Sequence, residues 1–202
     1  MTDKKHTPES KFLPLYRAGI VRSRDIEKAG ISRTQLRRLV RRGEINRIGR
    51  GLYRHPDAPL TERQHFAETA IRVPGGVICL LSALRFHGLT TQNPFEVWIA
   101  IDKKAWRPKP AQPPLRLCYL SGRILTEGVE EHDVSGVKVR VFGAAKTVAD
   151  CFKFRNKIGI DVAVEALRSY RKAFPKRMEA LWKFAEVDRV TKIIVPYLAA
   201  GE

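Results

Sequence analysis

Between residues 33 and 42, apolar and polar positions follow the spacing of an amphipathic helix. Leu36, Leu39 and Val40 fall on one face at about 100° per residue, while basic residues fill most of the other positions. Gly43 follows the last turn, where a residue in the left-handed conformation commonly ends a helix. The pattern therefore predicts a helix over residues 33–42 that buries one apolar face.

Residue types at the helix ends predict a second, shorter helix before this one. Ser32 and Gln35 have the spacing of a capping box, which defines the start of the 33–42 helix. Ser23 can cap a helix over residues 24–29, and Gly30 ends it. Two short helices joined by a tight turn are typical of a helix-turn-helix, a motif that binds DNA.

Two short apolar segments follow the second helix, and glycines separate them. Gly49 and Gly51 bracket Arg50, which predicts a two-stranded hairpin with Arg50 at its tip and Arg47 in its first strand. A hairpin in this position is the wing of a winged helix-turn-helix. An arginine at the tip of a wing is placed to enter a DNA minor groove or to contact a phosphate.

Positive charge is densest in this part of the chain. The chain has 202 residues and a net charge of +17; residues 1–60 contain 15 Lys or Arg against 6 Asp or Glu, and residues 61–202 contain 23 against 15. Neighbouring arginines on one helix repel each other unless an anion neutralises them. A solvated surface helix is the alternative, but the flanking motif favours double-stranded DNA as the partner. The predicted DNA-contacting residues are Arg33, Thr34, Gln35, Arg37, Arg38, Arg41, Arg42, Arg47 and Arg50.

The rest of the chain predicts a second domain, so that the whole is an α+β protein with an N-terminal winged helix-turn-helix. A proline-containing linker at 55–60 separates a winged domain (1–57) from a mixed α/β domain with C-terminal helices (58–202). Thr61 and Gln64 form a capping-box pattern just after the linker. Across the chain, predicted strands outside the wing cover 95–101, 115–120 and 137–142, and further predicted helices cover 8–17, 61–73, 77–89, 144–155, 160–173, 176–187 and 189–199.

Motifs of the common enzyme classes are absent from the sequence. Asp102 with Lys103 and Lys104 suggests a nuclease of the PD-(D/E)xK type, but the second acid that such a site requires is missing. Lys146 and Asp150 have the i, i+4 spacing of an ion pair on a helix surface. We therefore expect no catalytic residue and no cofactor.

The cysteine pattern predicts no metal site. Cys79, Cys118 and Cys151 are far apart, without a CxxC motif and without a histidine at ligand spacing. We expect them to be buried, reduced thiols of a cytoplasmic protein. His87 ends an apolar segment and is expected to make a hydrogen bond in the core. The sequence shows neither a signal peptide nor an apolar run long enough to cross a membrane.

Several blocks occur in an order that resembles a known family. The winged segment SRDIEKAGISRTQLRRLVRRGEINRIGRGLYR is followed by VICLLSALRFHGL, then EVWIAI, then KTVADCFKFRNKIGIDVAVEALRSY. Together these blocks resemble the AbiEi family, antitoxins of type IV toxin-antitoxin systems. The resemblance covers about residues 10–172, and the order of the blocks is more specific than any one of them.

The resemblance implies two activities in phage defence. The N-terminal domain is implied to bind inverted repeats in the promoter of its own operon and to repress it, as a transcriptional regulator. The C-terminal domain is implied to counter a cognate nucleotidyltransferase toxin. The DNA role transfers to residues 33–42 and to the wing around Arg47 and Arg50, whereas the antitoxic role transfers only to the region 61–202.

Two other hypotheses belong to different functional classes. A stand-alone winged-helix repressor would use the second domain to dimerise or to bind an effector, and an adjacent nucleotidyltransferase gene would argue against it. A DNA-acting nuclease would cut what the winged domain binds, and metal-dependent cleavage of operator DNA would identify it.

Overall fold

The computed structural model describes three ranges of the chain, residues 19–57, 63–108 and 113–199. The chain forms two compact units. The first extends to Ala67 and includes Asp133–Val137, and the second contains Glu68–His132 and the chain from Lys138 onwards. The predicted α+β fold class is confirmed, because strands and helices both contribute to each unit.

The first unit contains a winged helix-turn-helix. Its elements are β1 (Ile20–Arg22), α1 (Ser23–Lys28), α2 (Arg33–Arg41), β2 (Asn46–Gly49) and β3 (Leu52–Arg54). The strands form an antiparallel sheet in the order β1, β3, β2. The helix predicted over 8–17 and Thr61 of the predicted capping box lie outside the described residues. The core of the module consists of Ile26, Ile31, Leu36, Leu39 and Ile45.

The remaining elements alternate between strands and helices and end in a helical segment. The strands are β4 (Val77–Ile78), β5 (Val97–Asp102), β6 (Leu115–Leu120), β7 (Val129–Val134) and β8 (Val137–Phe142). The helices are α3 (Gln64–Arg72), α4 (Leu80–His87), α5 (Arg123–Thr126), α6 (Ala144–Lys153), α7 (Arg155–Ile158), α8 (Ile160–Ala173), a 3-10 turn (Pro175–Arg177), α9 (Met178–Asp188) and α10 (Thr191–Ala199). The predicted C-terminal helices are therefore confirmed, with shifts of a few residues at their ends.

The sequence predicts one helix over the apolar run 77–89. In the structure this run is a two-residue strand followed by a helix. Val77 and Ile78 pair with β5 in antiparallel orientation, and Ile78 also pairs with β8 in parallel orientation. This strand lies in the middle of a five-stranded sheet of order β6, β5, β4, β8, β7. A strand buried on both faces is as apolar as a buried helix, so periodicity does not distinguish the two. The predicted end at Gly88 is confirmed, with φ of +68°.

The sequence pattern missed β7 at the edge of this sheet. Its sequence, VEEHDV, contains three acidic residues and a histidine, and most of its side chains are at least partly exposed. Charged residues are common on edge strands because they discourage pairing with another chain. The two strands on the other side, β5 and β6, are parallel and were both predicted.

Candidate nucleic-acid interface

Local hydrogen bonds fix both ends of α2. The Ser32 hydroxyl accepts a hydrogen bond from the Gln35 backbone N–H at 3.3 Å, and the Gln35 side-chain oxygen accepts one from the Ser32 N–H at 2.9 Å. The predicted capping box is therefore confirmed. Gly43 follows the helix with φ of +73°, a left-handed conformation that glycine adopts without steric cost.

A backbone hydrogen bond joins the wing to the first helix. α1 begins at Ser23, whose N–H donates to the Gly51 carbonyl at 2.8 Å. Arg22 therefore takes the N-cap position, and the prediction that Ser23 caps this helix was wrong by one residue. Arg50 and Gly51 form the turn between β2 and β3, where Gly51 has φ of +71° and Arg50 is exposed at the tip. The wing thus has the hairpin form that its glycines predict.

α2 buries its apolar face and exposes its cations. Leu36 is 3% exposed and Leu39 is 9% exposed, which places this face in the core of the module. Thr34, Arg38 and Arg41 lie on the opposite face and are exposed. The amphipathic pattern is therefore confirmed, and the face that points to solvent is basic.

A groove of about 400 Å³ lies between α2 and the wing. We call it the arginine groove, because cations dominate its polar lining. Its lining residues are Arg33, Arg37, Arg41 and Arg47, with Ser23, Glu27, Leu36, Val40 and Tyr53. A concave surface with one sign of charge raises the local concentration of an oppositely charged ligand. The arginine groove thus has the chemistry of a phosphate-binding surface.

The cations of this region differ in how they are paired. Arg33 Nε donates a hydrogen bond to Glu27 Oε1 at 2.7 Å, which raises the pKa of Arg33. Arg47 Nε donates to the Gly49 carbonyl at 3.2 Å, which holds the side chain along the wing. Within the described part of the chain, no side-chain hydrogen bond or ion pair engages Arg37, Arg38, Arg41 or Arg50. These four guanidinium groups are open to an anion.

The nine predicted DNA-contacting residues lie on α2, at its C-cap or in the wing, and four of them have internal partners. Those of Arg33 and Arg47 are described above. The Gln35 side-chain oxygen belongs to the capping box, and Arg42 Nη1 lies 3.7 Å from Glu44 Oε1. Sequence reasoning also missed Glu27 and Tyr53, which line the arginine groove. Neither lies on the arginine-rich helix, so its periodicity could not reveal them.

In the second unit, Lys146 and Asp150 form a buried ion pair and not the surface pair that their spacing predicts. Lys146 Nζ binds Asp150 and also both carboxylate oxygens of Asp188, each at 3.1 Å. All three residues are at most 2% exposed. Burial raises the pKa of Asp150 well above its usual range. The prediction was wrong because α9, which carries Asp188, packs against α6 and covers the pair.

A cavity of about 340 Å³ in the second unit is lined by a few polar groups. Glu130 is the one carboxylate among the described residues that line it, and it pairs with His132 at 3.1 Å. His87 borders the cavity, and its Nε2 lies 2.8 Å from the Phe142 carbonyl, as expected of a core histidine. Asp102 accepts a hydrogen bond from a backbone N–H in the following turn. Nothing in these contacts favours the nuclease hypothesis over the regulatory one.

The three cysteines are free and buried, as predicted. Burial raises the pKa of Cys79 and of Cys151 well above the usual range, so both are protonated thiols of low reactivity. Among the described residues, no group of three or more histidine, cysteine or acidic side chains could hold a metal ion. No described helix has the length and apolar composition needed to cross a bilayer.

The winged helix-turn-helix and its exposed arginines are typical of the DNA-binding module of winged-helix proteins. A family model described as "Transcriptional regulator, AbiEi antitoxin" matches residues 16–56, which include the helix-turn-helix and the wing. The resemblance to the AbiEi family is therefore confirmed on the winged module, and the match supports a role as an antitoxin and regulator. No curated protein matches the chain.

Proposed function

We propose that this protein is the antitoxin of a type IV toxin-antitoxin system and represses its own operon. The winged module binds inverted repeats in the promoter, and the second domain, residues 58–202, counters a cognate nucleotidyltransferase toxin in the cytoplasm. The observation that carries the proposal is the set of exposed cations without internal partners on α2 and the wing. Such cations have no structural role in the module, whereas DNA gives them one.

The proposed docking follows from the two cationic surfaces. The outward face of α2, with Thr34, Arg38 and Arg41, enters the major groove, where arginine recognises guanine through two hydrogen bonds. Arg50 at the wing tip reaches the adjacent backbone or minor groove. Arg37 and Arg41 in the arginine groove neutralise phosphates beside the helix. Arg38 is thus assigned to a base and Arg37 to a phosphate, while Arg41 borders both surfaces.

We expect binding of the full-length protein to duplex DNA to weaken steeply as salt rises. Each phosphate that an arginine neutralises releases counterions, and the slope of log K against log salt is about −0.9 per phosphate. Contacts to about four phosphates predict a loss of roughly a hundredfold between 50 and 200 mM salt. Fluorescence anisotropy with a labelled duplex measures this slope. A flat response would exclude the proposed interface.

Arg50→Ala is expected to weaken binding by a similar factor on promoter DNA and on a scrambled duplex. The wing tip contacts the backbone in this proposal, and a backbone contact carries little sequence information. We expect the salt slope to become shallower by about 1. Arg168→Ala is the matched control, because this exposed arginine of α8 carries the same charge in the second unit. If Arg50→Ala affects only promoter DNA, the wing recognises sequence and its assigned role is wrong.

A further inference from the structure

Among the described residues, Glu27 is the one acidic residue that lines the arginine groove. It lies near the end of α1, and its carboxylate accepts a hydrogen bond from Arg33 Nε at 2.7 Å. Charge-assisted hydrogen bonds of this length are about twice as strong as neutral ones. A carboxylate in this position is unexpected on a surface that attracts phosphates, because it repels them.

The Glu27 carboxylate and a DNA phosphate compete for the same guanidinium. Glu27 already neutralises Arg33. A phosphate either takes the Nε–H from the carboxylate, which breaks one charge-assisted hydrogen bond for the one formed, or binds the terminal nitrogens with the carboxylate beside it. The phosphate would also lie close to the released carboxylate. By contrast, Arg37 and Arg41 in the same groove bind a phosphate without losing a partner. Nonspecific DNA therefore gains little from Arg33 while Glu27 is present.

We infer that Glu27 holds Arg33 away from DNA and thereby limits the affinity of the module for arbitrary sequence. This inference rests on the proposed function. The outward face of α2, which makes the base contacts, is separate from the pair between Glu27 and Arg33. Glu27 therefore reduces the sequence-independent part of the binding energy and leaves the base contacts unchanged. It is a specificity-determining residue, because it increases the ratio of promoter affinity to nonspecific affinity.

The chain offers a matched control for the charge of Glu27. Asp25 lies two residues earlier on α1, and its carboxylate is 3.7 Å from Arg24 Nε. It does not line the arginine groove. Glu27→Gln and Asp25→Asn each remove one negative charge from the same helix. Both variants change the net charge of the module equally. A difference in their affinity for DNA therefore depends on where the charge lies.

The first test measures the affinity of the full-length protein for a random duplex at several salt concentrations. Glu27→Gln is expected to bind about five- to tenfold more tightly than the wild type at 100 mM salt, with a salt slope steeper by about 0.9, because Arg33 then neutralises one more phosphate. Asp25→Asn should change the affinity less than about twofold and leave the slope unchanged. Glu27→Ala provides a second removal of the carboxylate, and thermal melting checks that each variant is folded.

The second test is a double-mutant cycle with Arg33→Ala. In the wild-type background, this change leaves the Glu27 carboxylate without its cation, so random-duplex binding should weaken. In the Glu27→Gln background, it should remove the gain. The inference is overturned if Glu27→Gln behaves like Asp25→Asn, if it weakens binding, or if Arg33→Ala in the Glu27→Gln background leaves the gain in place. A wild type that binds no duplex would overturn the proposed function, whereas these outcomes overturn only the role of Glu27.

Discussion

Replacing Arg38 and Arg41 together by alanine is expected to derepress the promoter while cells stay protected from the toxin. Both side chains are exposed on α2 and make no internal ion pair within the described residues, so their loss leaves the module folded. Each lost contact to a base is worth about 1–3 kcal/mol, and 1.4 kcal/mol is a factor of ten in affinity. The two changes together should lower promoter affinity by at least about thirtyfold.

A paired assay separates the two activities in the same cells. Promoter output is measured with a reporter, protection is measured as growth under induction of the cognate toxin, and an immunoblot checks the expression of each variant. Arg168→Ala with Lys172→Ala is the control for the reporter, since it removes two exposed charges from α8. A double mutant of Arg38 and Arg41 that is stable and fails to protect would show that DNA binding and protection are not divided between the two domains.

Lys146→Met is expected to destabilise the second unit by about 3–5 kcal/mol, the usual effect of removing one partner from a buried ion pair. Asp150 and Asp188 would lose the cation that neutralises them, in an environment that is at most 2% exposed. Urea denaturation followed by circular dichroism measures the change. A loss of this size leaves little folded protein in the cell, so protection from the toxin should fall as well.

Two control variants test the cause of this destabilisation. Asp150→Asn keeps the size of the side chain, and Lys146 keeps its contacts with Asp188. Because burial already raises the pKa of the Asp150 carboxyl, this variant should lose only about 1 kcal/mol of unfolding free energy. Lys138→Met makes the same substitution as Lys146→Met in an exposed pair with Glu131, and should leave the unfolding transition unchanged. If Lys146→Met and Lys138→Met have equal effects, the buried cluster does not stabilise the unit.

The features that local chemistry determines could be predicted from the sequence. The capping box of Ser32 and Gln35 and the left-handed Gly43 each depend on residues a few positions apart, and both are present. The strands over 115–120 and 137–142 have the predicted bounds, because each begins with alternating apolar and basic residues and lies between segments that contain proline or glycine. The helical end of the chain was recognised as well.

The features that the sequence did not reveal depend on residues far apart in the chain. β1 has only three residues and exists because it pairs with β3, about thirty positions later. Lys146 and Asp150 have the spacing of a surface pair, and only Asp188 on α9 makes the pair a buried one. In the candidate interface, the arginines of α2 could be predicted, whereas the contact between Glu27 and Arg33 joins two helices and required the fold.

The central claim is that α2 and the wing recognise the promoter of the protein's own operon. The most direct measurement is a fluorescence anisotropy titration of the full-length protein against two labelled duplexes at physiological salt, one with the inverted repeat upstream of its gene and one with the same bases scrambled. The proposed function predicts that the promoter duplex binds at least about a thousandfold more tightly. Equal affinities for the two duplexes would contradict it.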